Sequence, residues 1–165
     1  MNIVLCGMMG CGKTTVAAAH SRLGGLECVD PDEEVVNRYG HIADIFQKYG
    51  EGRFREIEAL TVEQVSARNG LIIATGGGCV LSEQNVRLLK RNGKIFFLRT
   101  SEGELIRRLE GDTERPLLAG GAARRVKELL PARTPKYIAA ADFVVDTDGL
   151  SPEEIAKNIL SLCNA

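Results

Sequence analysis

Gly7-Met8-Met9-Gly10-Cys11-Gly12-Lys13-Thr14 follows an apolar run, Ile3-Val4-Leu5-Cys6, and leads directly into a helix-forming stretch, Thr15 to His20. The pattern G-x-x-x-x-G-K-[ST], set between a strand and a helix, is that of a phosphate-binding loop. Glycines allow backbone N–H groups to turn inward around an anion with no Cβ in the way. The helix that follows points the positive end of its dipole at the same anion. The expected nucleotide cradle is Gly10, Cys11, Gly12, Lys13, Thr14 and Thr15. Lys13 is expected to reach the terminal phosphates, and the Thr14 hydroxyl to ligate Mg²⁺. A chance glycine-rich turn is the alternative, and it would not require the flanking elements. The loop by itself leaves the acceptor of the phosphoryl group open.

Outward from this loop the chain alternates strand and helix. Apolar runs at Ile3–Cys6, Leu26–Asp30, Leu71–Ala74, Ile95–Leu98 and Phe143–Val145 read as strands. Between them lie helices beginning near Thr15, Asp32, Ile42, Glu51, Ser82, Ser101 and Ala122, with Gly40 and Gly50 as breaks. Pro131 and Pro135 are expected to end the helix that begins at Ala122 and to leave Arg133 in a loop. Ser151-Pro152-Glu153-Glu154 opens the last helix with an N-cap, a proline at its first position and an acidic third residue. Strands that are apolar throughout and separated by helices indicate an α/β fold with a parallel sheet covered on both faces. Ligands of such sheets bind beyond the carboxyl ends of the strands.

The 165 residues suit one domain, residues 1–165. A net charge of −1 argues against general attraction to nucleic acid or an anionic membrane. No apolar run is long enough to span a bilayer. The first residues enter a strand with no signal-peptide pattern, so the expected location is cytoplasmic. The five cysteines form no C-x-x-C pair, so neither a zinc site nor a disulfide framework is signalled. Cys6 and Cys28 read as small core residues. Cys11 lies in an anion-binding loop that favours thiolate, or is a tolerated small residue. His20 and His41 read as structural or surface residues.

Several polar residues fall where the ligand of a parallel sheet belongs. Asp30 and Asp32 follow the second strand, where carboxylates can hold Mg²⁺ through water or draw a proton from a substrate hydroxyl. Asp32 could instead be a helix N-cap. Arg53 and Arg55 offer forked donors for a carboxylate or phosphate, or form a solvated face. Gly76-Gly77-Gly78 suggests close backbone approach to a ligand, against an ordinary loop. Arg115, in a glycine-bordered segment, suits a lid that closes over the nucleotide, or is a solvated loop residue.

Taken in order, GMMGCGKTT, VDPDEEV, HIADIFQKYGEGRFREIE, ATGGG, ERPLL, ARTPKY and VDT resemble the shikimate kinase family over essentially the whole chain. The phosphate loop is shared by many families; IADIF…G…FR..E with GGG and RPLL is far more specific. The resemblance implies a three-layer α/β/α, P-loop kinase fold with a five-stranded parallel sheet in the order 2-3-1-4-5. It also implies an acceptor-binding segment at about 31–62 and a lid at about 111–124. The implied reaction is ATP-dependent phosphorylation of the 3-hydroxyl of shikimate, a step of aromatic amino-acid biosynthesis, with Mg²⁺.

By motif position, Asp32 is the implied base, and Asp30, with Thr14, helps hold Mg²⁺. Arg55 and Arg133 clamp the acceptor carboxylate, with Gly77 and Gly78 lining the same pocket. Lys13 and Arg115 stabilise the phosphoryl group, and Arg108 packs near adenine. The implied partners are ATP and shikimate, with no nucleic acid or membrane, and the chain is expected to act as a monomer. Two departures from the family pattern stand out: Pro31 between the two aspartates, and Asp148-Gly149-Leu150 where some relatives carry an arginine near adenine. A kinase for another hydroxy acid such as gluconate would share the scaffold, but Arg55 and Arg133 with Asp32 favour shikimate. A silent nucleotide-binding module would be expected to have lost Lys13, Asp32 or Arg115.

Overall fold

The structure, a computed structural model, describes residues 1–111 and 121–165. Arg115 and most of the expected lid therefore lie outside the described residues. The elements run β1 (Asn2–Cys6), α1 (Lys13–Gly24), β2 (Glu27–Val29), α2 (Pro31–Tyr39), α3 (Ile42–Ser66), β3 (Leu71–Ala74) and α4 (Glu83–Lys90). They continue with β4 (Gly93–Arg99), α5 (Glu102–Glu110), α6 (Ala122–Ala140), β5 (Phe143–Asp146) and α7 (Pro152–Asn164). The strands form one sheet in the order β2-β3-β1-β4-β5, and every pairing is parallel. This is the α/β topology expected. Leu5 of β1 stands opposite Ala74 of β3 and Phe96 of β4, so the loops after these strands open at one edge.

β1 and β3 are buried along their whole lengths, which explains their uninterrupted apolar runs. β2 is different. It pairs only with β3, so it is an edge strand, and Cys28 on it is exposed. Cys28 is thus not the core residue expected from its apolar neighbours, whereas Cys6 is buried. His20 is a buried residue of α1, with burial lowering its pKa, and His41 is exposed.

Pro131 and Pro135 do not end α6, which runs through both. Ala122, Val126, Tyr137 and Ala140 form its buried stripe, while both prolines lie on the exposed side. Carbonyls freed by the missing N–H groups there can be hydrated, and packing outweighs the local penalty. Arg133 is therefore a helical residue, one turn before Tyr137, and not part of a loop. α3 is interrupted at Gly50, whose φ of 81° lies outside the helix, as its sequence predicts. No described helix is long and apolar enough to cross a membrane.

Candidate active site

The loops after β1, β2 and β3 meet in an open cleft of about 890 Å³. Its floor is the glycine-rich loop. Gly7, Gly10 and Gly12 have φ of 147°, 83° and 95°, values that L side chains rarely adopt. A Cβ on Gly7 would also stand 2.8 Å from Cys11 Sγ and 2.9 Å from the Leu98 carbonyl oxygen. Gly12 is the N-cap of α1 and contributes no side-chain acceptor. The first amides of α1 are then available to an anion.

Lys13 Nζ donates to the carbonyls of Gly7 (2.7 Å) and Met8 (3.0 Å) and lies 3.6 Å from Cys11 Sγ. Thr14 and Thr15 are exposed at the cleft. Cys11 is buried, with its thiol turned under the loop against Gly7, so its backbone is what it offers to a ligand.

Beyond the loop, Arg108 lies against the outer side of the cradle. Its Nη1 donates to the carbonyls of Cys11 (3.1 Å) and Gly10 (3.4 Å), and its Nε donates to Glu104 at 2.9 Å. Arg107 and Arg108 hold the Glu104 carboxyl down at about 2. Gly149 and Leu150, from the departing VDT stretch, line the same end of the cleft. Asp148 accepts the Ser101 N–H at 3.0 Å, so it ties the β5 loop to the start of α5.

At the other end, Asp30 caps α2: its Oδ1 accepts the Asp32 N–H at 2.8 Å. The N-cap is thus Asp30 and not Asp32. Pro31 occupies the first helical position, where its missing N–H costs nothing. Asp32 keeps both carboxylate oxygens free of capping. Burial, then the charges of Asp30 and Glu58, push its pKa up to about 6, against the opposing pull of Arg55 and Lys13.

The glycine run after β3 shows why three glycines stand together. A Cβ on Gly76 would lie 2.6 Å from Asp32 Oδ2. One on Gly77 would lie 3.3 Å from Arg133 Nη1, and one on Gly78 would lie 3.1 Å from Arg55 Nη2. Each glycine makes room for one charged group, and so the run gathers Asp32, Arg55 and Arg133 from α2, α3 and α6.

Arg55 is held from behind. Its Nη1 donates to both oxygens of Glu58, at 3.0 and 3.1 Å, and the Glu58 side chain is 5% exposed. Asn85 Nδ2 in turn donates to Glu58 Oε1 at 3.3 Å and to the Cys79 carbonyl at 2.9 Å. Arg53, by contrast, pairs with Glu56 on an exposed face.

Sequence reading missed Glu58, Asn85 and Tyr137 as parts of this site, and saw the glycine run, Gly76 included, without the charged partner of each glycine. Glu58 could have been found, because it lies three residues after Arg55 on one helical face. Among the described residues, no group of three or more His, Cys, Asp or Glu side chains is placed to hold a metal by itself.

The shikimate kinase family model matches residues 9–164. The chain belongs to the shikimate kinase family. Shikimate kinase of Thermodesulfovibrio yellowstonii is 45% identical over 161 residues, covering 96% of this chain and 92% of that one. The enzyme of Caldicellulosiruptor bescii is 42% identical, covering 98% and 94%. Among solved structures, shikimate kinase from Acinetobacter baumannii in complex with shikimate superposes with a TM-score of 0.89 at 34% identity, covering 99% of this chain and 92% of that one. Shikimate kinase from Aquifex aeolicus gives 0.84 at 34% identity, covering 99% and 96%. Like the rest of its family, the chain is a phosphotransferase.

Proposed function

We propose that this cleft transfers the γ-phosphoryl group of ATP to the 3-hydroxyl of shikimate. The observation that carries this reading is the glycine run, against which one carboxylate and two arginines pack, beside a phosphate-binding loop. Two guanidiniums suit one carboxylate, and the carboxylate of Asp32 suits a hydroxyl. An acid bearing both groups is thereby oriented between Arg55 and Arg133 on one side and Asp32 on the other, with Gly77 and Gly78 as backbone walls. Gly10, Cys11, Gly12, Lys13, Thr14 and Thr15 cradle the phosphates, with Arg108 at the nucleoside end. Asp32 accepts the proton of the attacking hydroxyl, and Lys13 offsets the negative charge that gathers on the transferring group. Phosphoryl transfer asks chiefly for such positioning and charge stabilisation.

The Thr14 hydroxyl and the Asp30 carboxylate are hard oxygen donors of the kind Mg²⁺ takes, directly or through water. When bound with ATP, Mg²⁺ neutralises phosphate charge. Arg115 joins Lys13 in this scheme on its motif alone. One domain, with its acceptor segment at about 31–62 and its lid at about 111–124, a monomeric state and a cytoplasmic location are proposed on the sequence reading.

The test is ADP release with Mg²⁺ and ATP, in the presence of shikimate, of gluconate, or of no acceptor. Release is expected with shikimate alone. Turnover with gluconate and none with shikimate would overturn the assignment, and stimulation by neither would favour a silent module. A second measurement bears on the clamp. Arg55→Lys replaces a fork with a point charge, so the KM for shikimate should rise about tenfold, the loss of roughly 1.4 kcal/mol of charge-assisted bonding. An unchanged KM would remove Arg55 from the carboxylate site.

A further inference from the structure

Three successive glycines have more backbone freedom than any other tripeptide, so something outside the run must hold it in shape. Two of its carbonyls are tied locally. The Gly76 carbonyl accepts the Cys79 N–H at 3.1 Å, and the Gly78 carbonyl accepts the Leu81 N–H at 3.2 Å. The Gly77 carbonyl between them is tied from a distant element: the Tyr137 hydroxyl of α6 donates to it at 2.7 Å.

Tyr137 is fully buried, and its ring lies 5.2 Å from that of Phe97 on β4. Its hydroxyl is also 3.8 Å from Met8 Sδ, in the phosphate loop. Arg133, one turn earlier on the same helix, acts electrostatically on the same hydroxyl. Burial nonetheless pushes that group up to about 12, so it keeps its proton, and its donor role, through the working pH range. A trans peptide points its N–H opposite to its C=O. Fixing the Gly77 oxygen therefore also fixes the direction of the Gly78 N–H, next to Arg55.

We propose that Tyr137 is a positioning residue for the acceptor: through the Gly77 carbonyl it holds the shikimate-binding half of the site in shape. This rests on the acceptor assignment made above. The test is Tyr137→Phe, which keeps the ring and its packing and removes one hydroxyl. The KM for shikimate should rise about fivefold, in line with the loss of one ordering hydrogen bond, while the KM for ATP changes less than about twofold. Amide hydrogen exchange in the peptide covering residues 75–81 should quicken, with the phosphate loop unaffected.

A variant that loses thermal stability but keeps both KM values would show a purely structural role and overturn the inference. An equal rise in both KM values would overturn it too. Failure of the acceptor assignment is separable, because the unaltered enzyme would then show no turnover with shikimate, whatever the variant does.

Discussion

Asp32→Asn lowers kcat by on the order of 10²- to 10⁴-fold while ATP affinity stays within about twofold, the range expected when a general base is removed and the nucleotide cradle is left intact. Asn keeps the shape and the hydrogen-bonding reach of the side chain but cannot take up a proton. The pKa of about 6 places the change of state in an accessible range. The base is the ionised form, so kcat/KM should rise with pH through about 6 in the unaltered enzyme, and the variant should lack that limb.

The same shift has a stability consequence of opposite sense. A carboxyl raised from 3.8 to about 6 in the folded state favours the protonated form. Its favourable contribution is complete below 3.8 and is lost as pH rises through about 6. At pH 8 the native protein therefore carries a strained charge. Asp32→Asn should be more stable there by roughly 2 kcal/mol, after allowance for the part of the carboxylate still open to water. Denaturant titrations at pH 8 and pH 4 should show the gain at the first and not at the second. Near-normal turnover in the variant would remove Asp32 as the base, and equal stabilities at pH 8 would remove the buried-charge argument.

Lys13→Met should reduce kcat by on the order of 10²- to 10³-fold, the cost of removing one preorganised charge from a transferring group. Met keeps the length of the stem and loses the ammonium. Two effects combine. The transition state loses a cation, and the loop loses the ties from Nζ to the Gly7 and Met8 carbonyls. Comparing ATP affinity with kcat separates them: loosening of the loop weakens ATP binding, whereas loss of the cation lowers kcat at saturating ATP. A variant that turned over normally at saturating ATP would contradict the role given to Lys13.

The phosphate loop and the parallel sheet were legible because their signals are local. Glycine spacing, Lys13, and apolar runs such as Leu71–Ala74 carry their meaning within a few residues. Pro31 was legible in a way that sequence reading did not use. A proline at the first helical position makes Asp30 the N-cap and leaves Asp32 free for chemistry.

Other features depended on tertiary structure. The continuity of α6 through Pro131 and Pro135 follows from which side of the helix packs on the sheet. The exposure of Cys28 follows from the edge position of β2. Asn85 supports Glu58 across 27 residues of sequence, and Tyr137 reaches Gly77 across 60, so neither leaves a mark that spacing could reveal. The glycine run was visible, but the partner that each glycine accommodates was not.

The central claim is that one cleft joins the γ-phosphoryl group of ATP to a single hydroxyl of an acid held by Arg55 and Arg133. The most direct measurement is NMR of the product formed from Mg²⁺, ATP and shikimate. A phosphorus resonance coupled to the proton on carbon 3, in a yield equal to the ADP formed, is the expected result. Phosphorus on another oxygen, or ADP accompanied only by inorganic phosphate, would contradict it.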